Sequence, residues 1–298
     1  MIRTGLLLIL TLLVVPALAF AFDRPLTAVQ WTMVRDSAAL MLGVAVLCFV
    51  VGELTGNVSQ VDKLWSIVPV VYAWMITAQG GWDGRMVLMA LLATLWGARL
   101  TYNFSRHGAY QWKFWTGHED YRWAHVRRNP GLDTLWGWKL FHLGFICLYQ
   151  NALLLMLVLP LVVAHGAARP LGVPDALLAI AFAGFVVLEA VADQQQWRFQ
   201  QGKQREGAVG RYAAGFVQDG LWARSRHPNY FAEQALWVTF FLFSVAATGR
   251  PNWSVAGCLL LVLLFQGSAS LGERIQAQKY PGYPDYQKRT PRFIPRLG

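Results

Sequence analysis

The sequence predicts an all-α membrane protein: a polytopic transmembrane helix bundle of seven to eight spans, with cytosolic interfacial helices. Of the 298 residues, 55% are hydrophobic and only 14% are charged, whereas charged residues make up about 25% of a soluble domain. The apolar residues form long runs without a charge, and about 20 apolar residues cross the roughly 30 Å of hydrocarbon in a bilayer. Because backbone groups in lipid must be hydrogen-bonded within the chain, each spanning run is predicted to be a helix.

Eight charge-free runs define the predicted spans. In chain order they are 4–22, 37–52, 64–82, 86–98, 140–168, 176–188, 234–249 and 251–272. The first run imitates a signal peptide with a cleavage site at 15–19, and we interpret it as an uncleaved first span. All eight are predicted to lie in a single integral membrane domain over residues 1–298.

The basic residues predict how the chain is oriented in the membrane. They concentrate in segments 99–139 and 198–226 and in the tail after 272, whereas the loop between the fifth and sixth runs and the loop between the seventh and eighth hold only Arg169 and Arg250. Since positive loops stay cytoplasmic, both termini are predicted to be cytosolic, in the bacterial inner membrane or, in a eukaryote, the endoplasmic reticulum. The net charge of +10 then suits contact with anionic membrane lipids. The basic residues are scattered beside the spans and form no separate module, which argues against a nucleic-acid partner.

The longest polar insertion, residues 106–139, is rich in tryptophan. Because such aromatic residues settle at the level of the lipid head groups, this insertion is predicted to form the cytosolic interfacial helices. Nucleotide-binding and metalloprotease signatures such as GxGxxG, the Walker loop and HExxH are absent. The cysteines Cys48, Cys147 and Cys258 lie in apolar runs without CxxC spacing, so they are predicted to be packing residues, with no metal or disulfide.

A polar cluster between Gly220 and Glu233 is the strongest indication of a binding site. It holds Arg226, His227, Asn229 and Tyr230, and residues 234–249 that follow carry no charge. Polar groups at the edge of the hydrocarbon are costly and are retained mainly for function. Arginine binds oxyanions in bidentate fashion, so the cluster predicts a site for a phosphate-rich cofactor. The alternative is that membrane topology alone requires these basic residues.

Two further groups lie at the predicted cytosolic ends of later spans. Glu189 and Asp193, four residues apart, share one helix face and could accept hydrogen bonds from a ribose or a carboxamide; a salt bridge to Arg198 is the alternative. The tail carries Arg274, Tyr286 and Arg289, which could fold back over a nucleotide or form a plain basic tail beside the membrane.

A third polar group lies at the start of the third run, where Asp62 precedes Trp65, Ser66 and Tyr72. A low dielectric raises the pKa of an acid, and a carboxyl that stays protonated can donate a hydrogen bond to a carbonyl oxygen. Alternatively, Asp62 and Lys63 mark the cytosolic membrane boundary.

From residue 58 onward the chain resembles the steroid 5α-reductase superfamily, in particular its bacterial DUF1295 branch. The matching features are Asp62-x-x-Trp65-Ser66, Trp96-Gly97-x-Arg99-Leu100, Glu119-Asp120-Tyr121-Arg122-Trp123, Asp193-Gln194-Gln195, Gly220-Leu221-Trp222, Ser225-Arg226-His227-Pro228-Asn229-Tyr230-Phe231-x-Glu233 and Phe293-Ile294-Pro295. By this resemblance, residues 58–298 form a reductase-like region and residues 1–57 contain the N-terminal spans.

The resemblance implies an integral-membrane oxidoreductase that takes hydride from NADPH and reduces the C=C bond of a lipophilic enone from the bilayer, typically a 3-oxo-Δ4 steroid. The implied nucleotide-binding residues are Arg99, Asp193, Asn229, Tyr230, Glu233, Arg274 and Tyr286, and our reading of the residues adds Arg198, Arg226, His227 and Arg289. Asp62 is similar to the acid that polarises the substrate carbonyl in this family. Trp65 is a further catalytic candidate. Trp96 stands at the position of the family's tyrosine, so Tyr72 or Tyr102 would supply the hydroxyl.

Two other functions fit parts of the pattern. The Arg226-His227-Pro228 turn also resembles isoprenylcysteine and phospholipid methyltransferases, which bind S-adenosylmethionine at a similar junction. A non-catalytic lipid-binding membrane protein would explain the hydrophobicity but not the clustered polar groups.

Overall fold

The computed structural model describes residues 14–207 and 209–296, and every regular element within them is helical. The predicted all-α class is therefore confirmed. The helices are α1 (Val15–Ala21), α2 (Ala28–Thr55), α3 (Gln60–Leu64), α4 (Val68–Gln79), α5 (Gly84–Arg106), α6 (Tyr121–Val126), α7 (Leu135–Ala164), α8 (Val173–Glu206), α9 (Leu221–Arg224), α10 (Pro228–Thr248), α11 (Val255–Lys279) and α12 (Tyr283–Arg289). Within α7, the stretch His142–Tyr149 is π-helical.

Five of these helices, α2, α7, α8, α10 and α11, are long and apolar enough to cross a membrane, which indicates a multi-pass membrane protein. About half of the first predicted span lies outside the described residues, and the other half contains α1. The third corresponds to α4, whose 12 residues extend only about 18 Å at 1.5 Å per residue. The fourth corresponds to α5, which has 23 residues but carries Arg85, Arg99 and Arg106. The count of seven to eight spans stays a prediction, as do the orientation and the particular membrane.

The chain divides into two compact units. Unit 1 contains the chain up to Ala179 together with Val238–Leu261, and unit 2 contains Ile180–Trp237 together with the chain from Val262. The helices α8, α10 and α11 each contribute residues to both units.

Local signals in the sequence set the bounds of α2. Its first turn is closed by a capping box, in which the Thr27 amide donates to Gln30 Oε1 (2.9 Å) and the Gln30 amide donates to Thr27 Oγ1 (3.3 Å). Such a cap satisfies amides that have no partner within the helix. At the other end Gly56 has a φ of 70°, a left-handed conformation that glycine adopts without steric cost.

Glycine also permits the close packing of α5 in unit 1. A Cβ atom on Gly97 would lie 2.5 Å from the Ser66 carbonyl oxygen and 2.6 Å from a Val70 methyl group. Trp96 beside it is fully buried. The Trp96-Gly97 pair is therefore explained by helix packing in unit 1.

A buried ion pair fixes the start of α5. Arg85 Nε donates to Asp175 Oδ1 (2.6 Å) and Nη2 donates to Oδ2 (3.0 Å), while the two side chains are only 5% and 2% exposed. The remaining donors of the guanidinium reach the carbonyl oxygens of Arg169 (2.9 Å) and Pro170 (2.8 Å). The guanidinium thus ties α5 to the connection that leads into α8.

Candidate functional site

In unit 1, Asp62 lies on the short helix α3, between the two longer helices α2 and α4. Its side chain is partly buried, and its Oδ2 atom is buried without a hydrogen-bond partner among the residues that the structure describes. Ser59 beside it accepts hydrogen bonds from Trp123 Nε1 (3.1 Å) and from the Asp120 amide (3.0 Å). The insertion predicted from its tryptophans therefore packs against the segment that carries Asp62.

Burial raises the pKa of Asp62 to about 6, because the charged carboxylate loses its solvation, and the nearby charge of Asp120 acts in the same direction. Hydrogen bonds with Ser59 and Trp123 and the charge of Arg122 oppose the increase in pKa. A large fraction of Asp62 is therefore protonated at weakly acidic pH and can donate a hydrogen bond.

Lys63 is buried and anchors the insertion. Its Nζ donates to the carbonyl oxygens of Thr116 (2.7 Å) and Phe114 (3.3 Å) and to Gln60 Oε1 (3.3 Å), while Tyr110 donates to the Lys63 carbonyl oxygen (2.8 Å). Desolvation lowers the pKa of Lys63, since burial disfavours the charged amine. These contacts give Lys63 a structural role beyond marking a membrane boundary.

The other residues predicted near Asp62 differ in their surroundings. Tyr72 is fully buried on α4, and within the described part of the chain its hydroxyl has no partner. Tyr102 is 66% exposed, so of the two tyrosines Tyr72 is the one in an apolar setting. Trp65 is partly buried and packs on the hydrophobic cluster that contains Cys48 and Trp123. Arg99, also in unit 1, is partly buried on α5.

The sequence reasoning missed one residue here, Asn151 on α7. It is fully buried, its Nδ2 donates to the Cys147 carbonyl oxygen (2.8 Å), and its Oδ1 has no partner in the ranges 14–207 and 209–296. The adjacent amides Gln150 and Asn151 in the long charge-free run 140–168 were the available signal.

In unit 2, the predicted polar turn is organised around Glu273 on α11. Arg226 Nε and His227 Nε2 lie 2.8 and 3.0 Å from Glu273 Oε1, and Arg292 Nη2 and Gln287 Nε2 each lie 3.0 Å from Oε2. We call these five residues the Glu273 network. Because a carboxylate only accepts, the proton of a neutral His227 lies on Nε2 and leaves Nδ1 as an acceptor.

The Glu273 network fixes the C-terminal segment against the polar turn. Three backbone hydrogen bonds join the two: Arg226 N to Pro291 O (2.9 Å), His227 N to Arg292 O (3.0 Å) and Arg296 N to Arg224 O (3.1 Å). Arg226 Nη1 also donates to the carbonyl oxygens of Gln287 (2.7 Å) and Thr290 (2.6 Å). Every nitrogen of the Arg226 guanidinium thus has a partner inside the protein, so Arg226 shapes the turn and the tail.

Other candidates gather next to this turn. Asn229 Nδ2 donates to Asp193 Oδ1 (3.4 Å), which joins α10 to α8 within unit 2. The Tyr230 ring stacks on Phe265 (4.4 Å between centroids) and on His227 (5.2 Å). Glu233 is buried and accepts a hydrogen bond from Trp237 Nε1 (3.0 Å).

The remaining predicted residues divide into one anchor and three exposed cations. Tyr286 is buried and donates to the Trp222 carbonyl oxygen, and burial raises the pKa of its hydroxyl. Arg198, Arg274 and Arg289 are exposed, and Arg289 donates to Gln218 Oε1. All three of these cations are exposed at the surface of the protein.

The residues of unit 2 fit a dinucleotide phosphate. Exposed guanidiniums suit its anionic groups. Gln196 Oε1 and Gln276 Oε1 are buried without partners within the described residues, and such acceptors suit ribose hydroxyls or a carboxamide. Among those same residues, no group of three or more His, Cys, Asp or Glu side chains could hold a metal ion.

These features define a multi-pass helical membrane protein with a buried acid in one unit and a polar helix-end network in the other. The family model "Protein of unknown function (DUF1295)" matches residues 48–290, so the chain belongs to the DUF1295 family. It is also 37% identical over 279 residues to an uncharacterized protein of Schizosaccharomyces pombe. The aligned region covers 84% of this chain and 78% of the yeast protein. No solved structure matches the chain. The DUF1295 branch that the sequence predicted is confirmed, and its link to steroid 5α-reductases stays a prediction.

Proposed function

We propose that this protein is an NADPH-dependent oxidoreductase that reduces the C=C bond of a lipophilic enone within the membrane. The observation that carries the proposal is the pair of buried oxygens in unit 1: Asp62 Oδ2 and the Tyr72 hydroxyl, both without a partner among the described residues. Leaving a buried polar atom unpaired costs about 1–3 kcal/mol, so such atoms call for a ligand or water. Two donors in an apolar setting suit the oxygen of a ketone.

In the proposed reaction, neutral Asp62 and Tyr72 donate hydrogen bonds to the enone oxygen. These contacts withdraw electron density from the conjugated alkene and make its β-carbon electrophilic. NADPH, when bound, would supply a hydride to the β-carbon and become NADP⁺. The same two donors would stabilise the resulting enolate oxygen. A proton from water would then be added to the α-carbon, which gives the saturated ketone.

The proposed nucleotide-binding residues divide by role. Arg198, Arg274 and Arg289 would contact phosphates, while Asp193 and Asn229 would bind ribose hydroxyls or the carboxamide. His227 and Tyr230 form a stacked aromatic surface that would bind beside the nicotinamide. In support of this division, Arg198, Arg274 and Arg289 are exposed, whereas Arg226, Glu233 and Tyr286 are held by partners within the protein.

The proposal predicts an activity that falls as pH rises. Because neutral Asp62 is the donor and its pKa is raised to about 6, kcat/KM should decline above pH 6 and approach a tenfold loss per pH unit. The charged groups acting on Asp62 are Asp120, Arg122 and Lys63. The profile is measured between pH 5 and 9 with saturating NADPH. An activity that rises through pH 7 would exclude neutral Asp62 as the donor.

Replacing Arg226 with alanine should weaken NADPH binding, because it removes charged hydrogen bonds, each worth about 1.5–3 kcal/mol, that join the turn to Glu273 and the tail. In the proposed site the loss arises because the Glu273 network no longer holds the turn and tail in place. Isothermal titration of purified protein measures it, with Arg224→Ala, an exposed arginine of the same turn, as the matched control. Equal NADPH affinity in the two variants would remove the network from the nucleotide site.

The function itself is tested by ligand-induced thermal shift followed by turnover. Purified protein is compared with NADPH, with S-adenosylmethionine and with neither, and then assayed against a panel of enones. The reductase proposal expects stabilisation by NADPH and reduction of at least one lipophilic enone. Stabilisation by S-adenosylmethionine together with methylation of a lipid would favour the methyltransferase alternative, and a response to neither would favour a lipid-binding protein.

A further inference from the structure

The side-chain amide of Asn151 is buried, and its oxygen has no role in the proposed reaction. It lies fully buried on α7, a helix long and apolar enough to cross a membrane. The amide orientation is fixed, because the Cys147 carbonyl oxygen 2.8 Å from Nδ2 requires a donor. Its Oδ1 is therefore an acceptor, and none of the described residues donates to it. Native structures rarely leave such an atom unpaired.

Asn151 belongs to the same part of unit 1 as Asp62 and Tyr72. The helices α2 and α4 and the Gln150–Val158 part of α7 pack against one another in pairs, and α3 packs on α2. Cys48 on α2, Val61 next to Asp62, and Cys147 one helical turn before Asn151 belong to one buried hydrophobic cluster. Three buried oxygens that lack partners in the described structure thus lie on three helices that all pack against α2.

The three oxygens differ in chemistry. Asp62, when neutral, and Tyr72 each present a donor, whereas Asn151 Oδ1 can only accept. A simple ketone would satisfy the two donors and leave the amide oxygen unpaired. A molecule with a carbonyl and a nearby hydroxyl would satisfy all three.

We infer that Asn151 determines substrate specificity, and that the substrate is a hydroxylated lipophilic enone whose hydroxyl group donates to Asn151 Oδ1. The inference rests on the proposed function, because Asp62 and Tyr72 are assigned there to the carbonyl. A site built to bind a hydroxyl discriminates strongly against an analogue without one, since the polar group of the protein is then left unpaired. Asn151 contacts no reacting atom in this scheme.

The test uses octyl-substituted cyclohexenones that differ only in a hydroxyl group at successive ring carbons, with the unhydroxylated parent for comparison. Binding is read as thermal stabilisation without NADPH, and KM and kcat are measured separately with it. We expect one hydroxylated isomer to bind about 10- to 100-fold more tightly than the parent, the range that follows from one unpaired buried group.

Asn151→Leu keeps the side-chain volume and removes the acceptor, so it should abolish this preference by raising KM for the hydroxylated isomer alone. Asn151→Asp retains an acceptor oxygen and should restore part of the preference. Ser37→Ala is the matched control: Ser37 Oγ is also buried on α2 and without a partner in the described chain, but lies about 16 Å along the helix from Cys48. It should leave the preference unchanged.

Equal binding of the parent and all hydroxylated isomers by the wild type, or an unchanged preference in Asn151→Leu, would overturn the inference. Because binding is read without turnover, these outcomes are obtained even if no isomer is reduced. If one hydroxylated isomer binds selectively but is not reduced with NADPH, the reductase proposal is wrong. The assignment of Asn151 as the residue that binds the hydroxyl group would then still hold.

Discussion

Replacing Asp62 with asparagine is expected to lower turnover of the enone by about 100- to 1,000-fold. Removing one donor to a developing oxyanion costs about 2.7–4 kcal/mol, and a neutral amide is a weaker donor than a carboxylic acid. The variant keeps the shape of the side chain, so NADPH affinity should stay nearly unchanged. Turnover is measured under saturating NADPH, in parallel with nucleotide binding.

Stability distinguishes this chemical effect from damage to the fold. The pKa of Asp62 is raised by burial, so the folded state binds a proton more tightly than the unfolded state. The contribution of this group to stability is complete below about pH 4 and is lost as pH rises through about 6. The Asp62→Asn variant has no carboxyl group to ionise, so its stability does not decrease in this pH range. It should therefore be more stable than the wild type at pH 8. Lower activity together with lower stability would point to misfolding, and unchanged turnover would remove Asp62 from the reaction.

Replacing Arg85 with alanine is expected to destabilise unit 1 by about 3–5 kcal/mol, because it leaves the Asp175 carboxylate buried without its cation. The effect should appear as a large decrease in unfolding temperature in detergent. Arg35→Ala is the control: Arg35 pairs with Asp36 on the surface, with side chains 74% and 37% exposed, where such pairs contribute about 0–1 kcal/mol.

The double replacement Arg85→Met with Asp175→Leu should recover much of the loss, since a well-packed apolar pair often matches a buried ion pair in stability. A response of Arg85→Ala no larger than that of Arg35→Ala would contradict the assigned role of the pair.

The sequence predicted the helical class and the membrane, because hydrocarbon imposes run lengths that are visible residue by residue. It did not predict that α4 has only 12 residues, since residues 64–67 carry no charge and continue into the apolar run. Asp62 was found because a carboxyl beside an apolar run is conspicuous. Asn151 was missed because a neutral amide does not interrupt such a run.

The Glu273 network shows a second limit of sequence reasoning. Arg226 was predicted to contact phosphate, yet its nearest acceptors include Glu273, 47 residues away, and carbonyl oxygens of the tail. Local sequence reveals that an arginine must find an acceptor, but tertiary packing decides which one. A binding site at these helix ends stays a prediction, and the role of Arg226 within it changes from ligand contact to positioning.

The most direct test of the central claim follows a hydride. The protein is incubated with NADPH carrying deuterium at nicotinamide C4 and a lipophilic enone, and the saturated product is analysed by mass spectrometry and NMR. We predict one deuterium per product molecule, located at the former β-carbon, from the reactive face of the nicotinamide. Failure of the purified protein, with each face labelled in turn, to transfer deuterium to any enone while it methylates a lipid with S-adenosylmethionine would contradict the account.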